Sequence, residues 1–540
     1  ADAAVEQTVT VSFVLREASS GGEAPTAGSP LIYFSDLESG PNSGGENDGG
    51  AVVTIYGKNF GAQRGASTVT VGGGEVVAYK QWGAAHQWYE KIAVQIGSRA
   101  RSGDLIVTVN GRASNAVPFT VRGGNIYFLA PNGSDSNDGS YAKPWRNAPA
   151  ARDRMKAGDI VYLLDGFAQT NDDGQGWNTP LLFRSGGGAD APFTWAAYPG
   201  ATATLGSTTG PGFGIRMADR EPFGNIVFAG IRFRGSIVAA LVGGVAPGGP
   251  GYRFIANDFE SSQASCFLTQ VTRNLVFHGN TAHDCGAASK TPELEHGVYF
   301  STDSNGIDMG WNTVANIPSC RGIQVHSSPL EGLTSGFNQY NIRIHHNVIR
   351  DTFCDGIVLA TLDPSKGAVE VYNNLFLRAG YGTPINNHGF FSCFYSPGTT
   401  NRGTAGAGTV ELYNNTMVNC GNARAGEGWS AGVVNGGQNA RLGIRLRNNI
   451  VVNSPGVPYS LYGPLTGSNN LFFAGSGAAP ANLAASIVAD PQFSSGTDFR
   501  LKTGSPAIDS GLATGIATDL DGAPRPGGAA MDLGAYESRP

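Results

Sequence analysis

Charge is scarce in this chain. Only 14% of its 540 residues are Asp, Glu, Lys or Arg, lysine is rare, and the net charge is −6. Nucleic acid as the main partner is excluded on that ground, because phosphate binding needs a basic face. An acidic polymer held by a local basic patch is not. No apolar run approaches the roughly 20 residues of a membrane span, so none is expected. No long stretch places apolar residues at helical spacing, which excludes a helical fold. The six cysteines (Cys266, Cys285, Cys320, Cys354, Cys393, Cys420) lack the CxxC spacing of a metal site. The chain does not begin with Met. Its opening, Ala1-Asp2-Ala3-Ala4, is read either as what cleavage of an export signal leaves or as an arbitrary starting point.

What is abundant is glycine, 79 residues of it. Much Gly with little charge fits many tight turns between strands, and the length exceeds one compact core. Residues 1–28 have a linker composition, ending Ala27-Gly28 after a Ser/Gly/Pro-rich stretch. Residues 29–122 then alternate in short β-branched runs: Val52-Val53-Thr54-Ile55-Tyr56, Thr68-Val69-Thr70-Val71, Ile92-Ala93-Val94-Gln95-Ile96 and Leu105-Ile106-Val107-Thr108-Val109. Six or seven such strands in about 90 residues predict a β-sandwich. The runs Thr54-Ile55-Tyr56-Gly57-Lys58-Asn59-Phe60-Gly61 and Val107-Thr108-Val109-Asn110-Gly111 resemble the IPT/TIG family of immunoglobulin-like domains. The resemblance implies a spacer or accessory module. Trp82, Trp88 and Tyr89 are read either as a sugar-stacking face or as packing residues.

From about residue 123 to 490 the sequence is an array. Asn280, Asn312, Asn347, Asn374, Asn415 and Asn449 recur at intervals of 32, 35, 27, 41 and 34 residues, with Asn257 and Asn470 extending the series. Asn tolerates the left-handed conformation and its amide can bond along a stack, so one Asn per coil reads as a ladder at a tight bend. The predicted fold is all-β, a sandwich followed by a right-handed parallel β-helix. Cysteines five or six residues beyond several of these Asn suit an inward stack. They are expected to be buried thiols, with Cys320 and Cys354 at one station of adjacent coils; disulfides are the alternative. Gly158-Asp159-Ile160-Val161-Tyr162-Leu163, Ala197-Tyr198-Pro199-Gly200 and Asp532-Leu533-Gly534-Ala535-Tyr536-Glu537 resemble the first coils and the closing tail of the pectate-lyase-like β-helix superfamily. That resemblance implies a secreted or periplasmic, monomeric protein acting on an extracellular polysaccharide, with residues 491–540 capping the last coil.

Four strands begin with a polar residue and Gly: His296-Gly297, Arg321-Gly322, Asp355-Gly356 and His388-Gly389. Stacked in register they form one column, spanning roughly 15 Å at about 4.8 Å per strand. Alternation turns Tyr299, Gln324, Val358 and Phe391 outward, with His326 nearby. Insertions at Ser327–Tyr340 and Tyr395–Gly408 are expected to wall a groove over residues 290–390. The alternative is a polar ladder whose members pair with one another. Just ahead lies Lys290-Thr291-Pro292-Glu293-Leu294-Glu295. Glu293 and Glu295 on one face suit Ca²⁺, or one protonated and one ionised acid. This Glu-x-Glu one coil before an Arg resembles chondroitinase B and related alginate lyases. There the acids hold Ca²⁺ against the substrate carboxylate, with a Lys as base and an Arg as acid. The Lys position holds Phe300 here and the Arg position falls near Val325, so Lys290 and Arg321 would have to substitute.

Three functions follow as expectations. The first is a polysaccharide lyase, with Arg321 or Ca²⁺ neutralising a uronate, Lys290, His296 or His326 as base and Tyr299 as proton donor. The second is a glycoside hydrolase using two of Glu293, Glu295, Asp303, Asp308 and Asp355. The third is a non-catalytic glycan binder. The expected site comprises Lys290, Glu293, Glu295, His296, Tyr299, Arg321, His326 and Asp355 as catalytic groups, and Gln324, His388 and Phe391 as substrate contacts.

Overall fold

A computed structural model describes residues 28–217, 223–243, 250–327, 339–382, 391–398, 406–421, 430–436, 439–454, 459–460, 463–475 and 479–538. The β-branched runs of the first part form two antiparallel sheets face to face. One orders the strands Leu31–Ser35, Val52–Lys58, Tyr89–Gln95 and Ala78–His86; the other is built on Val117–Val121, Gly103–Val109 and Thr68–Val71. Every second side chain points between them, as the alternation requires: Val69, Val71, Leu105 and Val107 are fully buried.

The second part is a parallel β-helix. Its coils place strands in turn on three parallel sheets, of 13, 12 and 10 strands among the described residues. The first sheet runs from Ile126–Leu129 to Leu483–Ala484 and the second from Ala168–Gln169 to Ile487–Val488. The third holds His296–Ser301, Arg321–His326, Ile357–Leu359 and Phe391–Ser396. The interior is a continuous apolar column, with Phe233 stacked on Phe259 at 5.2 Å and Phe259 on Phe277 at 5.6 Å.

The Asn ladder sits between the first and second sheets and is fully buried. Asn312 Nδ2 donates to the Phe277 carbonyl of the coil before (2.8 Å) and to Asn347 Oδ1 of the coil after (2.8 Å). Its own Oδ1 accepts from the Asn280 amide N–H at 2.8 Å. The same pattern joins Asn257 through Asn470. The ladder residues are not the left-handed ones. Positive φ falls on the residue before each, among them Trp311, His346, Asn373 and Asn414. The Asn is selected for its amide, which satisfies backbone groups that a bend would otherwise leave orphaned in the core. A second left-handed ladder closes the second sheet at Asp284, Asn316, Asp351, Arg378, Asn419 and Asn453.

The sandwich is fixed along the outer face of the first sheet. Ile160, Tyr162, Val227 and Ile255 share its core, and the Tyr162 hydroxyl accepts from Val52 N–H (2.7 Å) and donates to Val52 C=O (2.9 Å). Trp88 donates to the Leu520 carbonyl and Tyr89 to the Trp311 carbonyl, so these rings serve packing between segments. Residues 491–537 lie along the outer face of the second sheet, with Phe499, Leu520 and Leu533 against Leu375, Val418, Ile450 and Leu471. These two clusters draw on the first and second sheets and not on the third.

Candidate functional site

The glycines of the repeated strand starts are set by a corner. A Cβ on Gly297 would lie 3.0 Å from Val314 Cγ1 and 3.1 Å from Ile317 Cδ1, and one on Gly356 would lie 3.0 Å from Phe376 Cδ1. These positions point into the core, and so do the residues after them, Val298, Ile323 and Ile357. The chain therefore turns onto the third sheet at the Gly. The residue before it is left on the outside, at the head of the strand.

Pairing of His296 with Arg321, and of Ile323 with Ile357, stacks His296, Arg321 and Asp355 in one outward column. The fourth member is not His388. Ile357 pairs with Phe394, which puts Ser392 beside Asp355, and Ser392 Oγ donates to Asp355 Oδ1 at 2.6 Å. His388 lies outside the described residues. Phe391, expected on the substrate face, is fully buried against Cys320 and Cys354.

The next outward column is Tyr299, Gln324, Val358 and Tyr395. Gln324 is buried within it, and Val358 and Tyr395 continue it as a buried apolar patch with Val434. His326 pairs with Ser301 at the far end of the strand. Its Nδ1 is 3.2 Å from the Tyr299 hydroxyl, and the Tyr299 ring meets the edge of His296 at 4.8 Å. Glu293 sits buried in a short 3₁₀ turn, Pro292–Leu294, and its carbonyl accepts from Arg321 Nη1 at 3.3 Å. Glu295 is half-buried one residue before the column. Lys290 is exposed on the loop ahead and makes no hydrogen bond or ion pair among the described residues. The other acids considered fall elsewhere: Asp303 pairs with Arg273, and Asp308 faces the sandwich from the first sheet.

The electrostatics of the column are unusual. Arg321 forms no ion pair with any carboxylate among the described residues, and its buried Nε has no hydrogen-bond partner. Burial works against its charge. Burial, then the Arg321 charge, hold His296 well below the ordinary histidine range and depress His326 as well. Burial raises Asp355 to about 7 even though Ser392 and Arg321 oppose it. Burial, with the Glu293 charge beside it, raises Glu295 to about 7. Near neutral pH this cluster thus holds one guanidinium, two neutral imidazoles and two carboxyls close to their titration point, beside the Tyr299 ring.

The cysteines are disulfides, not thiols: Cys266–Cys285, Cys320–Cys354 and Cys393–Cys420, with no free cysteine. Cys320 and Cys354 do occupy one station of adjacent coils, with Cα atoms 4.6 Å apart. The other two pairs are equivalent to each other. Cys266 and Cys393 take the corner position that Gly297, Gly322 and Gly356 hold in the coils between, and each bonds to a cysteine closing the second-sheet strand of the following coil. The three bonds bracket the coils that carry the column.

Outside the groove, His278, Asp308 and His345 bring three potential metal ligands within 4.8 Å of one another, buried under the sandwich. A set with two imidazole nitrogens suits a transition metal better than Ca²⁺, which takes oxygen. The surrounding hydrogen bonds already use these donors. His346 Nε2 lies 3.0 Å from Asn373 Nδ2 and its Nδ1 2.8 Å from His345 Nδ1. His345 Nε2 lies 2.9 Å from Asp308 Oδ1, while Arg343 pairs with Asp308 Oδ2 at 2.9 Å. A metal would have to compete with the guanidinium for that carboxylate.

Residues 40–121 match the IPT/TIG domain. In fold the structure is similar to pectate lyase Pel9A, with a TM-score of 0.52 at 19% identity over 77% of this chain and 96% of that one. It is also similar to XylC in complex with xylose (TM-score 0.46, 10% identity, 77% and 99% covered) and to a rhamnogalacturonan lyase (0.37, 15%, 68% and 90%). A comparison with curated proteins finds no match. The chain thus carries a segment that matches the IPT/TIG domain, followed by a parallel β-helix whose fold is similar to that of pectate lyase Pel9A. No helix among the described residues is long and apolar enough to cross a membrane.

Proposed function

We propose that this protein is a polysaccharide lyase that cleaves a uronic-acid-containing glycan by β-elimination in the groove of the third sheet. The observation that carries the proposal is Arg321, a guanidinium that forms no ion pair among the described residues although the Asp355 charge acts on it, set beside two imidazoles that burial and its own charge depress. Such a position matches a substrate carboxylate. Neutralising that carboxylate acidifies the neighbouring C–H and stabilises the charge that develops when the proton leaves.

His326 takes that proton, which its depressed pKa leaves it free to do at neutral pH. The C–H electron pair forms the new C=C bond as the glycosidic C–O bond breaks, and Tyr299 gives its hydroxyl proton to the departing oxygen. The hydrogen bond between Tyr299 and His326 then returns the abstracted proton to the phenolate. His296, buried against the Tyr299 edge, positions the phenol. Glu293 and Glu295 would hold Ca²⁺ at the rim, where a cation would offset the burial and the neighbouring Glu293 charge that together raise Glu295. The fold likeness to a pectate lyase supports the reading. The three disulfides support an oxidising location, secreted or periplasmic.

A second reading is favoured by one observation. Glu295 and Asp355 both sit near 7, where a carboxyl can serve as general acid, so a glycoside hydrolase is the alternative.

The test is a pair of substrates. Once a cleaved polysaccharide is found, its free-acid and methyl-esterified forms should differ about 100-fold or more in kcat/KM with the wild type. Arg321→Ala should erase most of that preference while keeping the melting temperature. Equal rates on acid and ester would remove Arg321 from this role.

A further inference from the structure

The second sheet carries a hollow that the groove chemistry does not use. Its outward column pairs Glu260 with His283, His283 with Ala315 and Ala315 with Arg350. Ala315 is the one small side chain in this run, and the cavity above it measures about 630 Å³. That is within the range of small-ligand pockets. Thr281 and Thr313 line the floor beside it, and Tyr381 and Arg378 close one side. The Gln87 side chain of the sandwich reaches this edge, accepting from the Thr313 hydroxyl at 2.7 Å.

The lining selects its ligand by chemistry. Tyr381 is 45% exposed, an uncommon state for so large a ring, and an edge contact with Phe353 at 5.8 Å holds it upright at the rim. An aromatic face that is apolar in the middle and polar at the tip suits the C–H face of a sugar ring. Around it stand donors and acceptors in alternation: two threonine hydroxyls, the Asn316 amide, the Arg350 and Arg378 guanidiniums and the Asp284 and Asp351 carboxylates.

Every charged group of the lining is already paired. Arg350 and Arg378 share Asp351, while His283 lies between Asp284 and Asp258, the latter outside the lining and also paired with Arg234. A neutral occupant leaves these pairs intact, whereas a charged one would have to compete with them. Ala315 is the one aliphatic side chain of the lining, and the other side chains all carry polar groups, which disfavours a lipid or a hydrophobic peptide.

We infer that this hollow is a second, non-catalytic saccharide site that binds neutral sugar rings, seated one turn of the coil away from the groove. The inference is independent of which reaction the groove performs.

The test is native gel electrophoresis of the full chain through gels containing xylan, galactomannan, polygalacturonate or alginate. Retardation by at least one of the two neutral polymers is expected. Ala315→Trp, which fills the hollow, and Tyr381→Ala should each weaken that retardation tenfold or more, whereas Tyr381→Phe should keep it. Arg321→Ala, in the groove, should leave it unchanged. Circular dichroism and melting temperature verify that the surface variants are folded. No retardation by either neutral polymer would overturn the inference. Retardation that survives both Ala315→Trp and Tyr381→Ala, or that disappears with Arg321→Ala alone, would overturn it too.

Discussion

The Tyr299 hydroxyl lies 3.2 Å from His326 Nδ1, across two neighbouring strands of the third sheet. If this pair moves the protons of the reaction, His326→Ala and Tyr299→Phe should each lower kcat by about 10²–10⁴-fold, a range usual for acid–base groups. Melting temperatures should change little. The base must be neutral, and His326 is held below the ordinary value of about 6.5. The acid limb of the kcat/KM profile should therefore fall below about pH 6.5 and vanish in His326→Ala. A limb that stays in that variant would assign the base elsewhere.

Asp355 gives a stability test that needs no substrate. Its folded pKa is about 7, whereas the unfolded chain has the ordinary value near 3.9. The folded state holds this proton more tightly. Its stabilising contribution is full below the unfolded value and is lost as pH rises through the folded one. Asp355→Asn cannot titrate and keeps an oxygen for Ser392. From pH 4 to pH 8 the variant should gain on the wild type by about 2–4 kcal/mol in unfolding free energy. A gain in the opposite direction would mean that Asp355 is ionised and paired in the folded protein.

Cys320 and Cys354 immediately precede Arg321 and Asp355, and their bond ties the two coils of the column together. A thiol titration under denaturing, non-reducing conditions should find no free cysteine. Replacing both by Ser should cost about 3–4 kcal/mol, the usual figure for a loop of this length. Finding most thiols free would contradict the assignment.

Much of the fold was legible because one residue type marks one station. Asn312 and its equivalents make the same three bonds in each coil, so the ladder repeats in the sequence. The second ladder was not legible, since its left-handed station accepts Asp284, Asn316, Asp351 and Arg378 alike. The cysteine pairing was hidden for a related reason. Cys266 and Cys285 occupy different stations of successive coils, and spacing alone does not reveal which stations meet.

The column of the candidate site was legible as polar residues before Gly, and the reading failed where that pattern changed. His388-Gly389 has the form of Arg321-Gly322, yet the register falls on Ser392-Cys393, where a cysteine takes the corner that Gly holds elsewhere. Asp308 looked equivalent to Asp355 because an acidic residue does not disclose which sheet it faces. The setting of Arg321, which carries the functional proposal, depends on burial and on Asp355, Tyr395 and Tyr299 from three other coils.

The most direct test of β-elimination is the product. Purified protein should be incubated with polygalacturonate, alginate, rhamnogalacturonan and the neutral polymers xylan and galactomannan, reading absorbance at about 235 nm alongside reducing ends. Elimination leaves a C=C bond conjugated to the carboxylate, so the account predicts that both signals rise together, on a uronate polymer only, and that Arg321→Ala abolishes both. Reducing ends that accumulate without any absorbance would contradict it and assign the groove to hydrolysis.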